Sequence, residues 1–229
     1  MLDVANNLQK VQSRIREAEQ QFGRAAGSVM LLAVSKTKPV EDVKCAIEAG
    51  QRCFGESYVQ EAVDKIQQIS RNDIEWHFIG PIQSNKTRLI AENFSWVHSI
   101  DRLKIAQRLN EQRMNELGPI NVCLQVNVSG EETKSGLSLD DLPELVGEIL
   151  KLNNIKLRGL MAIPAKSSFA DEQRRAFKML KEAFRQINQQ FSIEMDTLSM
   201  GMSNDLEAAI AEGATIVRIG SDIFGTRNY

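Results

Sequence analysis

Residues 29–50, VMLLAVSKTKPVEDVKCAIEAG, hold an apolar, β-branched run, a short polar break and a helical pattern with its own punctuation. The run VMLLAVS (29–35) is too short and too apolar for a surface helix and reads as a buried strand. Pro39, with Glu41 and Asp42 behind it, opens a helix, and Gly50 closes it. How often this unit recurs decides the fold.

It recurs along the whole chain. Further strand candidates are RCFGE (52–56), EWHFIG (75–80), WVHSI (96–100), NVCLQVN (121–127), KLRGLMAI (156–163), DTLSM (196–200) and TIVRIG (215–220). Helical patterns lie between them: Ser84 can cap one, and Ser138 with Asp141 forms a capping-box pattern before another. Eight strands alternating with helices over 229 residues predict a parallel sheet closed into a (β/α)8 TIM barrel, as one domain spanning residues 1–229. The rival, an open doubly wound sheet, lacks its signature, because no GxGxxG follows the first strand.

Two ends of the chain complete this reading. Val4, Leu8, Val11, Ile15, Ala18 and Phe22 recur at helical spacing, so an extra amphipathic helix precedes the first strand. After the last strand only SDIFGTRNY remains, too short for a full covering helix. The N-terminal helix is therefore expected to close the barrel's lower end or to cover that gap, and no C-terminal β domain is expected.

Composition narrows the partners. A net charge of −2, from 28 basic and 30 acidic residues interspersed, offers no field for nucleic acid or an anionic membrane. No apolar run approaches the roughly 18 residues of a membrane span, and the N-terminus lacks a signal-peptide core. Cys45, Cys53 and Cys123 show no CxxC spacing, which speaks against a disulfide framework or zinc knuckle and for a reducing cytoplasm. His77 and His98 lie on strands without a metal-ligand motif, so a core or rim role is expected and no metal site is assigned.

In such barrels chemistry sits at the carboxyl ends of the strands. Leu32, Val34 and Lys36 share one strand face, so an inward Val34 directs Lys36 into the mouth. An ordinary lysine is neutral in roughly one molecule of 2,500 at pH 7, so a nucleophilic amine needs burial or a cationic neighbour. The bland alternative is a lysine that pairs at the rim; Lys38 and Lys134 read as ordinary solvated lysines. Beyond the seventh and eighth strands, Gly201, Ser203, Gly220 and Ser221 have the small, donor-rich character of a phosphate site, although Ser203 could equally cap a helix. Arg218 shares parity with Gly220, and a guanidinium facing a pyridine nitrogen would keep that nitrogen unprotonated.

At these residues the chain is similar to a known family. LLAVSKTKP, FGESYVQE, WHFIGPIQSNK, Lys134-Ser-Gly136, RGLMAIP, LSMGMSNDLEAAI and VRIGSDIFG together resemble the pyridoxal phosphate homeostasis proteins, whose barrel resembles the N-terminal domain of alanine racemase. The resemblance implies pyridoxal 5'-phosphate (PLP) as cofactor, held as an internal aldimine on Lys36. Ser203, Gly220 and Ser221 would hold the phosphate, Arg218 would face the pyridine nitrogen, and Met161 and Met200 would lie near the ring. Ser57 stands where the family often carries asparagine and is a further candidate contact.

The implied function is cofactor holding, buffering or delivery in the cytoplasm, by a monomer whose partners are PLP and PLP-dependent apo-enzymes. Alanine racemase draws a second catalytic base, a tyrosine, from a β domain; here the only tyrosines are Tyr58 and Tyr229, so no catalytic residue is assigned. Two other readings stand beside it: a PLP-dependent amino-acid racemase or lyase, and a cofactor-free Schiff-base aldolase.

Overall fold

The structure, a computed structural model, describes residues 3–129, 135–165 and 167–226. Lys134 and Tyr229 lie outside the described residues. The eight expected strands form: β1 (Met30–Val34), β2 (Cys53–Glu56), β3 (Glu75–Phe78), β4 (Trp96–Ile100), β5 (Ile120–Gln125), β6 (Ile155–Met161), β7 (Thr197–Ser199) and β8 (Ile216–Ile219). All pair in parallel, in sequence order, into a closed barrel. Closure comes from β1 against β8, with Met30, Leu31, Leu32 and Ala33 opposite Ile216, Val217, Arg218 and Ile219. Most strands stop one or two residues short of their apolar runs at the carboxyl end, whereas β2 and β4 keep their last residues and β5 and β6 each begin one residue earlier.

The covering helices are α2 (Val40–Glu48), α3 (Val59–Ile69), α4 (Thr87–Asn93), α5 (Leu103–Gln112), α6 (Leu142–Ile149), α7 (Ala170–Phe191) and α8 (Leu206–Ala211), followed by a single turn, α9 (Ser221–Phe224). Pro39 stands at the N-cap of α2, and Gly50 beyond its end takes φ 100°, as the punctuation predicts. Before α6, the Ser138 hydroxyl accepts from the Asp141 N–H at 3.1 Å and donates to the Asp141 carboxylate at 2.6 Å.

Of the two places open to the N-terminal helix, the structure selects the gap. Helix α1 (Val4–Gln21) packs against α8, α9 and α2, filling the wall that the short α9 leaves bare. Its stripe of Val4, Leu8, Val11, Ile15 and Ala18 is buried in the main core, between the strands and their helices. Glu19 closes the connection to β1, accepting from the Val29 N–H at 2.8 Å and the Gly27 N–H at 3.0 Å.

The barrel interior is a separate environment. Trp96, Cys123 and Met161 form an apolar cluster of their own, apart from the layer beneath the helices. Polar side chains share this interior: His77, His98, Ser199 and Arg218 are all buried.

If α1 is part of the wall, Leu8→Ala should cost about 2–5 kcal/mol, the usual range for a buried leucine truncation. Urea denaturation should then show a lower midpoint at unchanged slope; a shift below about 0.5 kcal/mol would make α1 an appendage.

Candidate functional site

The mouth at the carboxyl ends of β1, β7 and β8 holds a cavity of about 370 Å³ whose lining includes Lys36, Lys38, Ser203, Arg218, Gly220 and Ser221. Five of the sequence-derived candidates therefore converge, although β1 and β8 lie at opposite ends of the chain. Lys36 is half-buried, two residues past the end of β1. Lys38 turns aside to donate to the Thr226 carbonyl at 2.9 Å.

The two small-residue loops meet. The hydroxyls of Ser203 and Ser221 lie 3.3 Å apart, and Ser203 is not a cap, because Asp205 holds that position before α8. Gly220 packs against the end of β1: a Cβ there would stand 3.1 Å from the Val34 carbonyl oxygen. Gly201 has φ 96°, and a Cβ on it would run into that of Ala209. Both loops thus need their glycines for reach.

Nearby acidic groups are turned to other partners. The Asp205 carboxylate accepts from the Met202 N–H, while Glu207 pairs with Arg14 of α1 at 2.9 Å. The same guanidinium reaches Asp222 at 2.8 Å and the Ser203 carbonyl at 3.1 Å. Arg14 therefore ties the two loops together from outside. No strand motif pointed to it; its position on the exposed flank of an amphipathic helix was the only trace.

Arg218 is 4 % exposed and aimed by its neighbours. It donates to the Ser199 carbonyl at 2.6 Å, the Ser199 hydroxyl at 2.8 Å and the Ala162 carbonyl at 2.9 Å. Burial pulls its pKa down to about 10, against the opposing attraction of Asp205, so it stays protonated at neutral pH.

Behind it runs a buried polar chain. Ser199 Oγ lies 2.7 Å from His98 Nδ1, His98 Nε2 lies 2.9 Å from His77 Nδ1, and His77 Nε2 lies 2.8 Å from Glu75. Arg218 only donates, which leaves the Ser199 proton for His98 Nδ1; His98 then donates to His77, and His77 to the Glu75 carboxylate. One polarity satisfies every member. Burial depresses the pKa of both histidines, and the Arg218 charge adds to the effect at His98, so both are neutral. The expected core role thus takes a definite form. Cys53, Glu75 and His77 also present their ligand-type atoms within 4.8 Å of one another, a grouping that sequence spacing did not foresee.

Three further candidates, Met161 and Met200 expected near the ring and Ser57 as a cofactor contact, stand away from the cavity's lining. Met200 is fully buried and belongs to the core beneath the helices, because alternation sends its neighbour Ser199 inward and Met200 outward. Met161 is fully buried against Trp96 and Cys123, deeper in the barrel. Ser57 sits beside the β3 loop, where its backbone crowds Gly80: a Cβ on that glycine would stand 2.4 Å from the Ser57 carbonyl oxygen. None of the three lines the cavity.

This arrangement can be set beside known proteins. The family described as alanine racemase, N-terminal domain, matches residues 6–228. A pyridoxal phosphate homeostasis protein of Pseudomonas aeruginosa is 57% identical over 229 residues, covering 100% of this chain and 98% of that one. Its Escherichia coli K12 counterpart is 52% identical over 232 residues, covering 100% and 99%. The chain belongs to the pyridoxal phosphate homeostasis protein family. Among solved structures, Synechococcus elongatus PipY, with PLP bound, superposes with a TM-score of 0.85 at 34% identity, covering 97% of this chain and 100% of that one. Corynebacterium glutamicum alanine racemase shares the fold at 18% identity and a TM-score of 0.71; the match covers 99% of this chain and 62% of the racemase.

The histidine chain has a pH signature. A histidine whose folded pKa lies below its unfolded value near 6.5 leaves stability intact above that pH and withdraws it as pH falls below, by up to about 1.4 kcal/mol per pH unit. Between pH 7 and 5, His98→Gln should flatten the fall of unfolding free energy relative to the wild type. Parallel slopes would mean that His98 is protonated in the fold.

Proposed function

We propose that the protein binds PLP at the barrel mouth and serves as a cytoplasmic holder and donor of the cofactor, not as a catalyst. The observation that carries this reading is the convergence of Lys36, the Ser203 and Ser221 hydroxyls and Arg218 on one cavity. The homeostasis proteins to which the chain is so similar, and PLP-bound PipY, support it from outside.

The residues fit the group. A dianionic phosphate needs several donors and close backbone approach, which Ser203, Ser221 and the Cβ-free Gly220 offer at neighbouring strand ends. An aromatic nitrogen needs a defined neighbour, and Arg218 has its orientation set by Ser199 and Ala162. An amine is required for attachment, and Lys36 lines the same cavity.

When bound, PLP supplies an aldehyde that condenses reversibly with an amine, releasing water, and a pyridine ring that draws electron density toward its nitrogen. The chain's own groups limit how far that chemistry goes. Arg218 carries no carboxylate-like acceptor and cannot hold a proton between itself and a ring nitrogen as an acid would, so the ring is a weak electron sink. Lys36 is placed to retain the cofactor and to yield it to a competing amine.

Cytoplasmic action accords with the cysteines, since Cys45, Cys53 and Cys123 are all free. In this reading residues 1–229 act as one domain, the unit is a monomer, and apo-enzymes that need PLP are its acceptors.

The purified protein incubated with PLP should acquire a visible absorption band that Lys36→Ala abolishes. Borohydride should fix the cofactor on Lys36, and the untreated complex should activate a PLP-dependent apo-enzyme. Label on another lysine would overturn the attachment, and sustained turnover of an amino acid, lost in Lys36→Ala, would overturn carriage in favour of catalysis.

A further inference from the structure

Lys36 stands just past the sheet: β1 ends at Val34, the Ser35 N–H still bonds the Gly55 carbonyl at 3.0 Å, and the Lys38 N–H closes a turn on the Ser35 carbonyl at 3.1 Å. The residues on either side of it are both tied to one buried ammonium group. Lys65 of α3 is 5 % exposed, and its Nζ donates to the Ser35 carbonyl at 2.7 Å, to Glu56 Oε1 at 2.8 Å and to Glu61 Oε1 at 2.6 Å. An ammonium has three donors, and all are used.

Each acceptor leads back to the lysine-bearing turn. The Ser35 hydroxyl donates to the same Glu56 oxygen at 2.7 Å, and the Thr37 N–H donates to the same Glu61 oxygen at 2.6 Å. Ser35 is thus held through both its carbonyl and its hydroxyl, and Thr37 through its amide. Lys36 lies between two anchored neighbours.

The anchoring works against a cost. Thr37 has φ 63°, a left-handed conformation that a β-branched residue avoids, and such strain of about 1–3 kcal/mol persists only where surroundings over-determine it. Glu56 is wholly buried with one carboxylate oxygen lacking a partner, and burial pushes its pKa up despite Lys65. A buried ion pair is commonly no more stabilising than apolar residues of the same volume. What the group supplies here is directed hydrogen bonding to one particular turn.

We infer that Lys65, acting through Glu56 and Glu61, is a positioning residue that clamps the Ser35–Thr37 turn and so aims Lys36 into the barrel mouth. This deepens the PLP reading and rests on it. Lys65 does not line the cavity; its ammonium bonds Ser35, Glu56 and Glu61, and through them it fixes the backbone on either side of Lys36.

Lys65→Met alone would strand a buried carboxylate and risk unfolding, so two other variants carry the test. The double variant Lys65→Met with Glu56→Gln removes the charge pair at similar volume. Glu61→Ala, at a partly exposed site, releases Thr37 while leaving Lys65 paired with Glu56. PLP titration, the induced circular dichroism of the bound chromophore, the share of borohydride label on Lys36 against Lys38, and apo-protein thermal unfolding are measured together.

The expected result is a folded apo-protein whose apparent Kd for PLP rises about tenfold or more, since Lys36 is no longer held at the cavity by its anchored neighbours. The induced signal should weaken, and label should spread toward Lys38. Unchanged affinity, induced signal and label in folded variants would overturn the clamp. Lys36→Ala run alongside separates the two claims: a visible band that survives it overturns attachment and clamp together, whereas its loss beside wild-type behaviour of the other variants overturns the clamp alone.

Discussion

The pairing of β1 with β8 is the constraint on which the site depends. Four consecutive residues from Met30 to Ala33 lie opposite four from Ile216 to Ile219, and through them the first strand of the chain meets the last. Lys36 emerges from one side of that seam, Gly220 and Ser221 from the other. The same closure leaves a wall too short at α9, which α1 completes; from α1, Arg14 reaches back to both loops. Sheet closure, wall and cavity are one geometric solution.

The barrel interior shows how a polar core is tolerated. Buried polar groups are costly unless satisfied, and the line from Arg218 through Ser199, His98 and His77 to Glu75 is satisfied link by link. Its direction follows from its ends: a guanidinium that only donates at the mouth and a carboxylate that only accepts at the base. An arginine held at the mouth by such a chain presents its charge at a set orientation, and its neighbours stay neutral so that the charge is not doubled.

Much of the fold was legible because helices and buried strands leave different periods in a sequence. WVHSI became β4 without change, and the other strands shifted by only one or two residues at an end. The stripe of α1 was equally plain, yet its destination was not: a helix that seals a barrel from below and one that fills its wall bury the same residues. Parity carried Lys36, Arg218 and Gly220 to the mouth, and it also explains why Met200, one residue beyond inward-facing Ser199, lies under the helices. Lys65 left no readable signal and Arg14 only its place beside the apolar stripe of α1, since a lysine in KIQQI and an arginine in QSRIRE look like ordinary helix-surface charges.

By itself the sequence determined the order of strands and helices and, through strand parity, that Lys36, Arg218 and Gly220 lie at the mouth. These are local properties, written in backbone periodicity and turn chemistry. Only the tertiary structure decided which distant groups meet: Ser203 with Ser221, His77 with His98, and Lys65 with the turn that bears Lys36. The reason is physical. A side chain's hydrogen-bond partner is chosen by closure of the barrel in three dimensions, and no one-dimensional period records which strand end will lie beside another.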